Sequence, residues 1–258
     1  MRACLLASGS KGNSLFIENG ETKLLLDAGL SAVEILRRLH AIGVEGSEID
    51  AIMISHEHQD HIRGAGALAR KLKIPVILSY PTHKEASRYL AKTQVIEFES
   101  GYSFCFRDLA IDPFPITHDA CDPVGFVIES SDGAMGVATD LGIATRLVVD
   151  KLQKCRIVIV ESNHDEDMLM NGPYPWHLKQ RIRSRHGHLS NNDSAALLEE
   201  ILHPCLEGVF LAHLSEVNND PSLAHSAATI MLASTNICSP KLIVGTQDQV
   251  SEIFCING

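Results

Sequence analysis

The 258-residue sequence predicts an α+β fold with four layers, in the order helix, sheet, sheet, helix. Short β-rich runs open each half of the chain, hairpin turns separate these runs, and helix and strand patterns alternate after them. Two such sheets can bury one face against each other and the other face under helices, which gives an αββα sandwich. We expect residues 1–258 to form a single domain of two similar αβ halves, since no linker interrupts the chain.

The β-rich runs that open the two halves are short and are separated by turn signals. Asn19-Gly20 and Asp132-Gly133 lie between consecutive runs, and such dipeptides favour the tight turns of β-hairpins. Each half should therefore begin with hairpin-connected strands. The predicted strands are residues 3–7, 14–18 and 23–27 in the first half, and residues 124–129 and 135–138 in the second.

Helix and strand patterns follow the hairpins in both halves. Ser31 and Glu34 have the spacing of a capping box, and Val33, Leu36 and Leu39 recur at helical spacing after it. These patterns predict helices at residues 31–40, 62–72, 144–152 and 191–202, and strands at residues 51–55, 76–79, 157–161 and 208–213.

Composition limits the class of protein. A net charge of -10 argues against wide non-specific contacts with nucleic acid, although it permits a local basic patch. The seven cysteines contain no C-x-x-C pair and indicate reduced thiols. No run approaches the roughly 18 apolar residues of a membrane helix, and the apolar start is too short for a secretory signal. We therefore expect a cytoplasmic protein.

The strongest chemical signal is a cluster of metal-binding side chains directly after the apolar run at residues 49–55. Four potential ligands fall within six residues: His56, His58, Asp60 and His61. A tight loop at a strand end can converge such side chains on one point, with Glu57 and Gln59 pointing away. Imidazole and carboxylate groups suit Zn²⁺ or another first-row divalent ion. The alternative is a histidine-rich surface loop, but the pattern H-x-H-x-D-H at a strand end favours a metal site.

Three further potential ligands each come directly after a short run that has the character of a strand, the runs ending at Thr117, Thr139 and Ala212. They are His118, Asp140 and His213. Loops at the strand ends of a layered fold gather at one edge, so these side chains should join the cluster. Taken singly, each has another interpretation, as a helix cap, a turn residue or a core histidine. Taken together, they favour metal ligation.

These residues match, in order and context, the five motifs of the metallo-β-lactamase superfamily. Asp27 in Leu-Leu-Leu-Asp-Ala-Gly resembles the first motif and residues 56–61 the second, while His118, Asp140 and His213 resemble the third to fifth. The resemblance covers nearly the whole chain and implies the metallo-β-lactamase fold. Residues 8–14, 161–165, 187–191 and 211–215 resemble the YycJ (WalJ) branch, which is close to RNase Z and the phosphodiesterase PhnP.

The resemblance implies two bound metal ions. One would be held by His56, His58 and His118, and the other by Asp60, His61 and His213. Asp140 would bridge them together with a water or hydroxide, and Asp27 would orient the ligand loop by hydrogen bonds. The donor set accepts Zn²⁺ or Mn²⁺, and also Fe²⁺.

A metal pair about 3.5–4 Å apart activates a bridging water and holds both oxygens of a phosphoryl displacement. A separate acid must protonate the leaving oxygen. His188 is the candidate because residues 187–191 resemble the segment around an RNase Z histidine, and Glu161 could orient it. His164 is a competing choice. His188 could also be simply a residue at the N-terminus of a helix. The predicted catalytic residues are His188, Glu161 and Asp60.

Two segments are candidates for substrate binding. The glycine-bearing turn at residues 8–14 offers Ser10, Lys11 and Asn13 near the expected mouth of the site, although a plain hairpin turn needs the same residues. The run from Lys179 supplies Arg181, Arg183 and Arg185, part of which could be solvated surface. Tyr174 or Trp176 could stack a base, although a lone tryptophan near two prolines could also simply pack.

The resemblance implies a metal-dependent phosphodiesterase acting on nucleic acid, with DNA favoured, as a 5′-to-3′ exonuclease. An alternative is a dinuclear hydrolase of a small cyclic phosphodiester or a thioester. A non-catalytic metal-binding regulator is a third hypothesis, against which retention of all seven ligands argues. A redox role is disfavoured because flavodiiron relatives carry glutamate where this chain has His58. Transfer-RNA maturation is disfavoured because no long exosite arm is evident.

Overall fold

The computed structural model describes residues 1–256 and contains two seven-stranded sheets packed face to face between two layers of helices. The predicted αββα architecture is confirmed. The strands of the first sheet are β1 (Arg2–Ala7), β2 (Ser14–Asn19), β3 (Thr22–Leu26), β4 (Ala51–Met53), β5 (Val76–Ser79), β6 (Val95–Phe98) and, from the end of the chain, β14 (Phe254–Cys255). The second sheet contains β7 (Phe104–Phe106), β8 (Leu109–Pro115), β9 (Val124–Ser130), β10 (Gly133–Ala138), β11 (Ile157–Glu161), β12 (Gly208–Ala212) and β13 (Lys241–Val244).

The helices connect these strands. The first half contains α1 (Ala32–Ala41), α2 (Gln59–Ile62), α3 (Ala65–Leu72), α4 (Tyr80–Ala86) and a 3₁₀ turn at Gly46–Glu48. The second half contains α5 (Arg146–Leu152), α6 (Glu166–Asn171), α7 (Trp176–Ile182), α8 (Asn191–Ile201) and α9 (Pro221–Ala233).

The two sheets repeat one arrangement of strands. Their orders are β14-β1-β2-β3-β4-β5-β6 and β7-β8-β9-β10-β11-β12-β13. In each sheet, the first three pairs of neighbouring strands are antiparallel and the last three pairs are parallel, so the middle strand, β3 or β10, has one neighbour of each kind. The predicted hairpins at Asn19-Gly20 and Asp132-Gly133 are confirmed. Parallel strands direct their carboxyl ends to the same edge, and this edge carries the candidate site.

Side chains of both sheets share the central core. Leu24 of the first sheet and Phe126 and Phe210 of the second lie in one buried cluster. The opposite face of each sheet is covered by helices, to which Ile35 of α1 contributes in the first half and Leu197 of α8 in the second. Among residues 1–256, no helix is long and apolar enough to cross a membrane. The cytoplasmic location stays a prediction.

Helix α1 differs from its prediction in two details. The Ser31 hydroxyl caps the helix by accepting from the Glu34 amide at 3.3 Å. The Glu34 carboxylate, however, binds the guanidinium groups of Arg37 and Arg38 instead of returning to the cap, so the predicted capping box is wrong. Val33 is 74% exposed, because the buried face of the helix runs through Ile35, Arg38 and Leu39 rather than through Val33.

The helix predicted at residues 62–72 is broken into α2 and α3 around Gly64. The Gly64 amide donates to the Ala28 carbonyl at 2.9 Å, and a Cβ at Gly64 would lie 1.9 Å from the Leu30 carbonyl oxygen. The segment after β3 therefore packs directly against the backbone at this point. The break turns the chain so that the ligand cluster lies in α2 and the loop before it.

Candidate functional site

Three of the predicted site residues have an unusual backbone conformation at strand ends. Asp27 directly follows β3, His213 directly follows β12, and Asp140 follows β10 by one residue, with φ of 63°, 57° and 58°. Residues other than glycine rarely adopt this left-handed conformation, although Asp and His do so more often than most. Such strained residues cluster at functional sites, where the surrounding structure holds them in place. Each of these turns bends the chain sharply where a strand ends.

One group of potential ligands consists of three imidazoles. His56 Nε2 lies 3.1 Å from His58 Nδ1, which lies 3.2 Å from His118 Nε2. Ligand atoms about 3.3 Å apart are expected around a tetrahedral ion with bonds of ~2.0–2.1 Å. Burial lowers the pKa of His56 and of His118, so both rings are neutral and have a free lone pair. This group can hold one cation.

A second group combines two imidazoles with carboxylates. Asp60 Oδ2 lies 3.4 Å from His61 Nε2 and 3.5 Å from His213 Nε2. Asp140 lies between the two groups, with Oδ2 3.3 Å from His61 Nε2 and Oδ1 3.8 Å from His118 Nε2. All seven predicted ligands therefore converge on one region at the strand ends.

The chemistry of these donors fits divalent metal ions. Asp140 Oδ2 and His213 Nε2 are buried and have no hydrogen-bond partner within the described part of the chain, whereas buried polar atoms are nearly always paired. Burial opposes protonation of His61, but the Asp140 and Asp27 carboxylates outweigh it and raise the His61 pKa well above its usual value. This half of the site therefore attracts a cation, and its nitrogen and oxygen donors suit first-row divalent metals.

Asp27 and Ser55 hold the ligand loop by hydrogen bonds on the side away from the potential ligand atoms of His56 and His61. Asp27 Oδ2 lies 2.8 Å from His61 Nδ1, and its carboxylate accepts from the Ser55 amide and hydroxyl at 2.9 Å. The Ser55 hydroxyl also lies 3.0 Å from His56 Nδ1. Asp27 thus stands where an orienting residue is expected. Ser55 was not predicted, and its only signal is its place as the last residue before the cluster.

Glu161 connects the metal-ligand region to His188. Its Oε1 lies 2.8 Å from His188 Nδ1 and 2.8 Å from His213 Nδ1, and its Oε2 accepts from the Leu141 and Leu189 amides. Burial opposes ionisation of Glu161, but His188 and His213 outweigh it and lower the Glu161 pKa. The side chain is fully enclosed. Glu161 therefore contacts both histidines and is itself closed off from the cleft, and its role in orienting His188 stays a prediction.

His188 lies at a cleft of about 230 Å³ beside the metal-ligand region. Its ring centroid is 5.2 Å from those of His118 and His213. We call this space the central cleft; it is lined by Ser10, Asp119, Asn163, Tyr174, Leu178, Arg181, Ile182, Gly187, His188 and Ser215. His164, the competing candidate, is 2% exposed and does not line the cleft.

Only two of the six predicted substrate-binding residues line the central cleft. They are Ser10 and Arg181, and Arg181 pairs with Asp119 at 2.6 Å. Asp119 was not predicted as a site residue, although its position directly after the predicted ligand His118 could have indicated that it lies near the site. Tyr174, a candidate for base stacking, also lines the cleft.

The other four lie elsewhere. Asn13 is buried with Nδ2 3.1 Å from His61 Nε2, so it packs against the ligand loop instead of facing the cleft. The Lys11 ammonium pairs with Glu216 at 2.6 Å. Arg183 lies beside Met170 at a separate groove, and Arg185 is exposed outside the cleft. The alternate spacing of the arginines distributes them around α7 and the turn after it.

Comparison with known sequences places this arrangement in a family. The sequence profile of the β-lactamase superfamily domain matches residues 22–205. The chain belongs to the β-lactamase superfamily.

Superfamily members similar over most of this chain include two named exodeoxyribonucleases. WalJ of Streptococcus pneumoniae serotype 2 is 38% identical over 238 residues, which cover 90% of this chain and 88% of WalJ. YycJ of Bacillus anthracis is 34% identical over 233 residues, covering 88% of each chain. The solved structure of the metallo-β-lactamase fold protein YhfI from Bacillus subtilis has a TM-score of 0.75 at 16% identity, and covers 97% of this chain and 99% of that one. The predicted fold and the resemblance to the YycJ (WalJ) branch are confirmed.

Proposed function

We propose that this superfamily member is a metal-dependent phosphodiesterase that degrades nucleic acid, acting on DNA as a 5′-to-3′ exonuclease. The observation that carries the proposal is the convergence of seven ligand side chains beside a cleft that contains a histidine and an arginine. One ion would be held by His56, His58 and His118, and the other by Asp60, His61 and His213, with Asp140 between them. These nitrogen and oxygen donors would accept Zn²⁺ or Mn²⁺, and also Fe²⁺.

A bound pair of such ions supplies a water nucleophile at neutral pH and stabilises charge on a phosphoryl group. Side chains at the cleft would donate the proton and contact the substrate phosphate. His188 would donate a proton to the leaving oxygen, with its ring held by Glu161. Arg181 would contact a phosphate at the cleft, and Asp119 holds its guanidinium in place.

The choice of DNA rests on the relatives. WalJ and YycJ are named exodeoxyribonucleases, and we extend that activity to this chain because the similarity covers about nine-tenths of it. The direct test incubates metal-loaded protein with single- and double-stranded DNA and RNA labelled at either end. We expect the 5′ label to be released first, and from DNA faster than from RNA. If no polymer is cleaved while a small cyclic phosphodiester or a thioester is hydrolysed, the nuclease proposal is wrong.

A matched pair of variants separates a polymer substrate from a small one. Arg181→Gln removes a cation at the cleft. Arg88→Gln removes an exposed cation in the other half of the chain, where the guanidinium donates to the hydroxyl of the neighbouring Tyr89. Loss of one phosphate contact weakens binding of any sequence and lowers the salt dependence by about one charge. We therefore expect Arg181→Gln alone to raise KM for DNA and flatten its dependence on salt. Equal salt slopes for the two variants would favour the small-substrate hypothesis.

A further inference from the structure

Helix α7 presents two different faces to two different spaces. Leu178, Arg181 and Ile182 line the central cleft. The opposite side of the helix lines a second groove of about 350 Å³, formed by Met170, Trp176, Lys179, Gln180 and Arg183, which we call the outer groove. The residues of the two sets are spaced so that they occupy opposite sides of one helix. A polymer that leaves the central cleft across α7 therefore reaches the outer groove.

The segment around α7 differs in charge from the rest of the molecule. Residues 168–192 contain four of the 22 lysines and arginines and none of the 32 acidic residues. The whole chain has a net charge of -10, so this basic segment is a local exception. A polyanion is repelled by most of this surface and attracted here. The positive charge around the outer groove thus favours a nucleic-acid strand over a basic peptide or a protein with few acidic residues.

Trp176 is the only tryptophan of the chain, and 58% of its surface is exposed. Met170 beside it is 37% exposed, and Arg183 Nη1 lies 3.5 Å from the Met170 sulfur. A large exposed aromatic ring next to a guanidinium is the combination with which proteins bind unpaired bases and their phosphates. The packing interpretation of Trp176 does not account for this exposure.

Lys179 is the buried residue among those that line the outer groove. Its side chain is buried, and Nζ donates to the Met170 and Gly172 carbonyls at 2.7 Å and 2.8 Å. These carbonyls belong to the C-terminal end of α6, where a cation is favourable. The contact ties α7 to the preceding turn, so the outer groove is formed before any ligand arrives. It also leaves Arg183, and not Lys179, as the cation that faces a ligand.

We propose that the outer groove is a second subsite for an unpaired nucleic-acid strand, in which a base stacks on Trp176 and Arg183 binds a phosphate. The proposal rests on the proposed nuclease function and adds a site that lies away from the metal ions. A helix with side chains is ~10 Å across, and phosphates along one strand lie at least ~3.4 Å apart, so crossing α7 requires about three nucleotides or fewer. A mononucleotide in the central cleft does not reach Trp176.

Because Trp176 is the only tryptophan, its fluorescence reports on this groove alone. The test mixes metal-loaded protein with a phosphorothioate-linked thymidine 12-mer in a stopped-flow instrument and follows emission before turnover. Anisotropy of the same oligonucleotide, carrying a dye, gives an independent Kd. We expect the 12-mer to quench Trp176 with the Kd found by anisotropy, and thymidine 5′-monophosphate to leave the emission unchanged.

Variants locate the effect. Trp176→Ala should raise the anisotropy Kd of the 12-mer about tenfold, as for loss of one stacked base. Arg183→Gln should weaken binding and lower the slope of log Kd against log salt by about 0.7, the value for one phosphate of a single strand. Arg88→Gln, which removes an equal charge elsewhere, should leave both the Kd and the slope at the wild-type values.

Each remaining outcome contradicts the proposal. If the 12-mer binds but Trp176 emission stays constant, or if Trp176→Ala and Arg183→Gln bind it as tightly as wild type, the outer groove is not a subsite, while the nuclease function stands. Equal quenching by the monophosphate would place the mononucleotide, not a crossing strand, at Trp176. If the phosphorothioate 12-mer is not bound and the unmodified thymidine 12-mer is not cleaved, both the subsite and the proposed function fail.

Discussion

His188 and His164 have surroundings that give them opposite protonation preferences. Burial opposes protonation of His188, but the Glu161 carboxylate at 2.8 Å outweighs it and raises the His188 pKa. Burial lowers the pKa of His164 to about 4, and its Nδ1 has no hydrogen-bond partner within residues 1–256. The Glu161 carboxylate therefore favours the protonated form of His188, which a general acid needs, whereas a pKa of about 4 leaves His164 neutral at pH 7.

We expect His188→Gln to lower kcat on DNA by about 10²–10⁴-fold, the usual contribution of a general acid. His164→Gln should lower kcat less than tenfold, because this neutral ring has no access to the cleft. The measurement is single-turnover cleavage of labelled DNA, combined with the metal content of each variant. Metal content matters because His188 packs against two ligand rings. A larger loss of kcat in His164→Gln, at full metal content, would reverse the assignment.

At the scale of elements, the residue before β2 and the segment after β3 hold the ligand loop by backbone contacts. The Ala28 amide donates to the His61 carbonyl and the Asn13 amide to the Asp60 carbonyl, both at 2.7 Å. Gly29 completes the contact, because its amide donates to the Asn13 carbonyl at 2.9 Å. A Cβ at Gly29 would lie 1.6 Å from the Asp60 carbonyl oxygen. The position of Asp60 therefore depends on the absence of a side chain at Gly29.

Gly29→Ala should displace Asp60 and weaken binding of the second metal ion about 10–100-fold, an effect comparable to loss of a supporting contact. It should also reduce the free energy of unfolding by about 1–3 kcal/mol through overpacking. Chelator competition measures the metal affinity, and urea unfolding measures the stability.

Gly43→Ala is the matched control. Gly43 has a φ of +74° and no atom within 4 Å of an added Cβ, so this change strains the backbone without displacing a ligand. It should lower stability and leave metal affinity unchanged. Unaltered metal affinity in Gly29→Ala would show that the ligand loop tolerates the displacement.

At the scale of the whole molecule, the two halves share one core and are tied by the chain end. Leu24, Phe126 and Phe210 come from different sheets and pack in the same cluster. After the second sheet is complete, the chain returns to the first, where Phe254 pairs with Ala3. Neither half can unfold without exposing the buried face of the other. On these contacts we propose that the chain is a single domain.

We expect both halves to unfold in one cooperative transition. Pulsed hydrogen exchange read by mass spectrometry follows peptides from β4 and β11 separately as urea is raised. The two peptides should lose protection at the same urea concentration, and removal of metal with a chelator should lower both midpoints together, because a ligand that binds only the folded state stabilises the whole unit. Loss of protection in one half at lower urea would indicate two domains.

Much of the fold and of the site was predictable from the sequence because the signals are local. Turn dipeptides, alternating apolar residues and a four-ligand cluster at a strand end each lie within a few consecutive residues. The positions of His118, Asp140 and His213 after strands follow from the same kind of pattern. Helices α6 and α7 were not predicted, because they are short and Pro173 and Pro175 lie between them.

The tertiary structure alone decided which polar groups are partners. Glu161 contacts two histidines 27 and 52 residues away, and Asn13 packs on His61 instead of facing the cleft. Lys179 is buried against the end of α6 although Gln180 and Arg181 after it are exposed. The sequence by itself determined the layered fold, the strand ends and the residue types of the metal site. Contacts between distant segments depend on how whole layers pack, and a residue type does not specify which of several possible partners it meets.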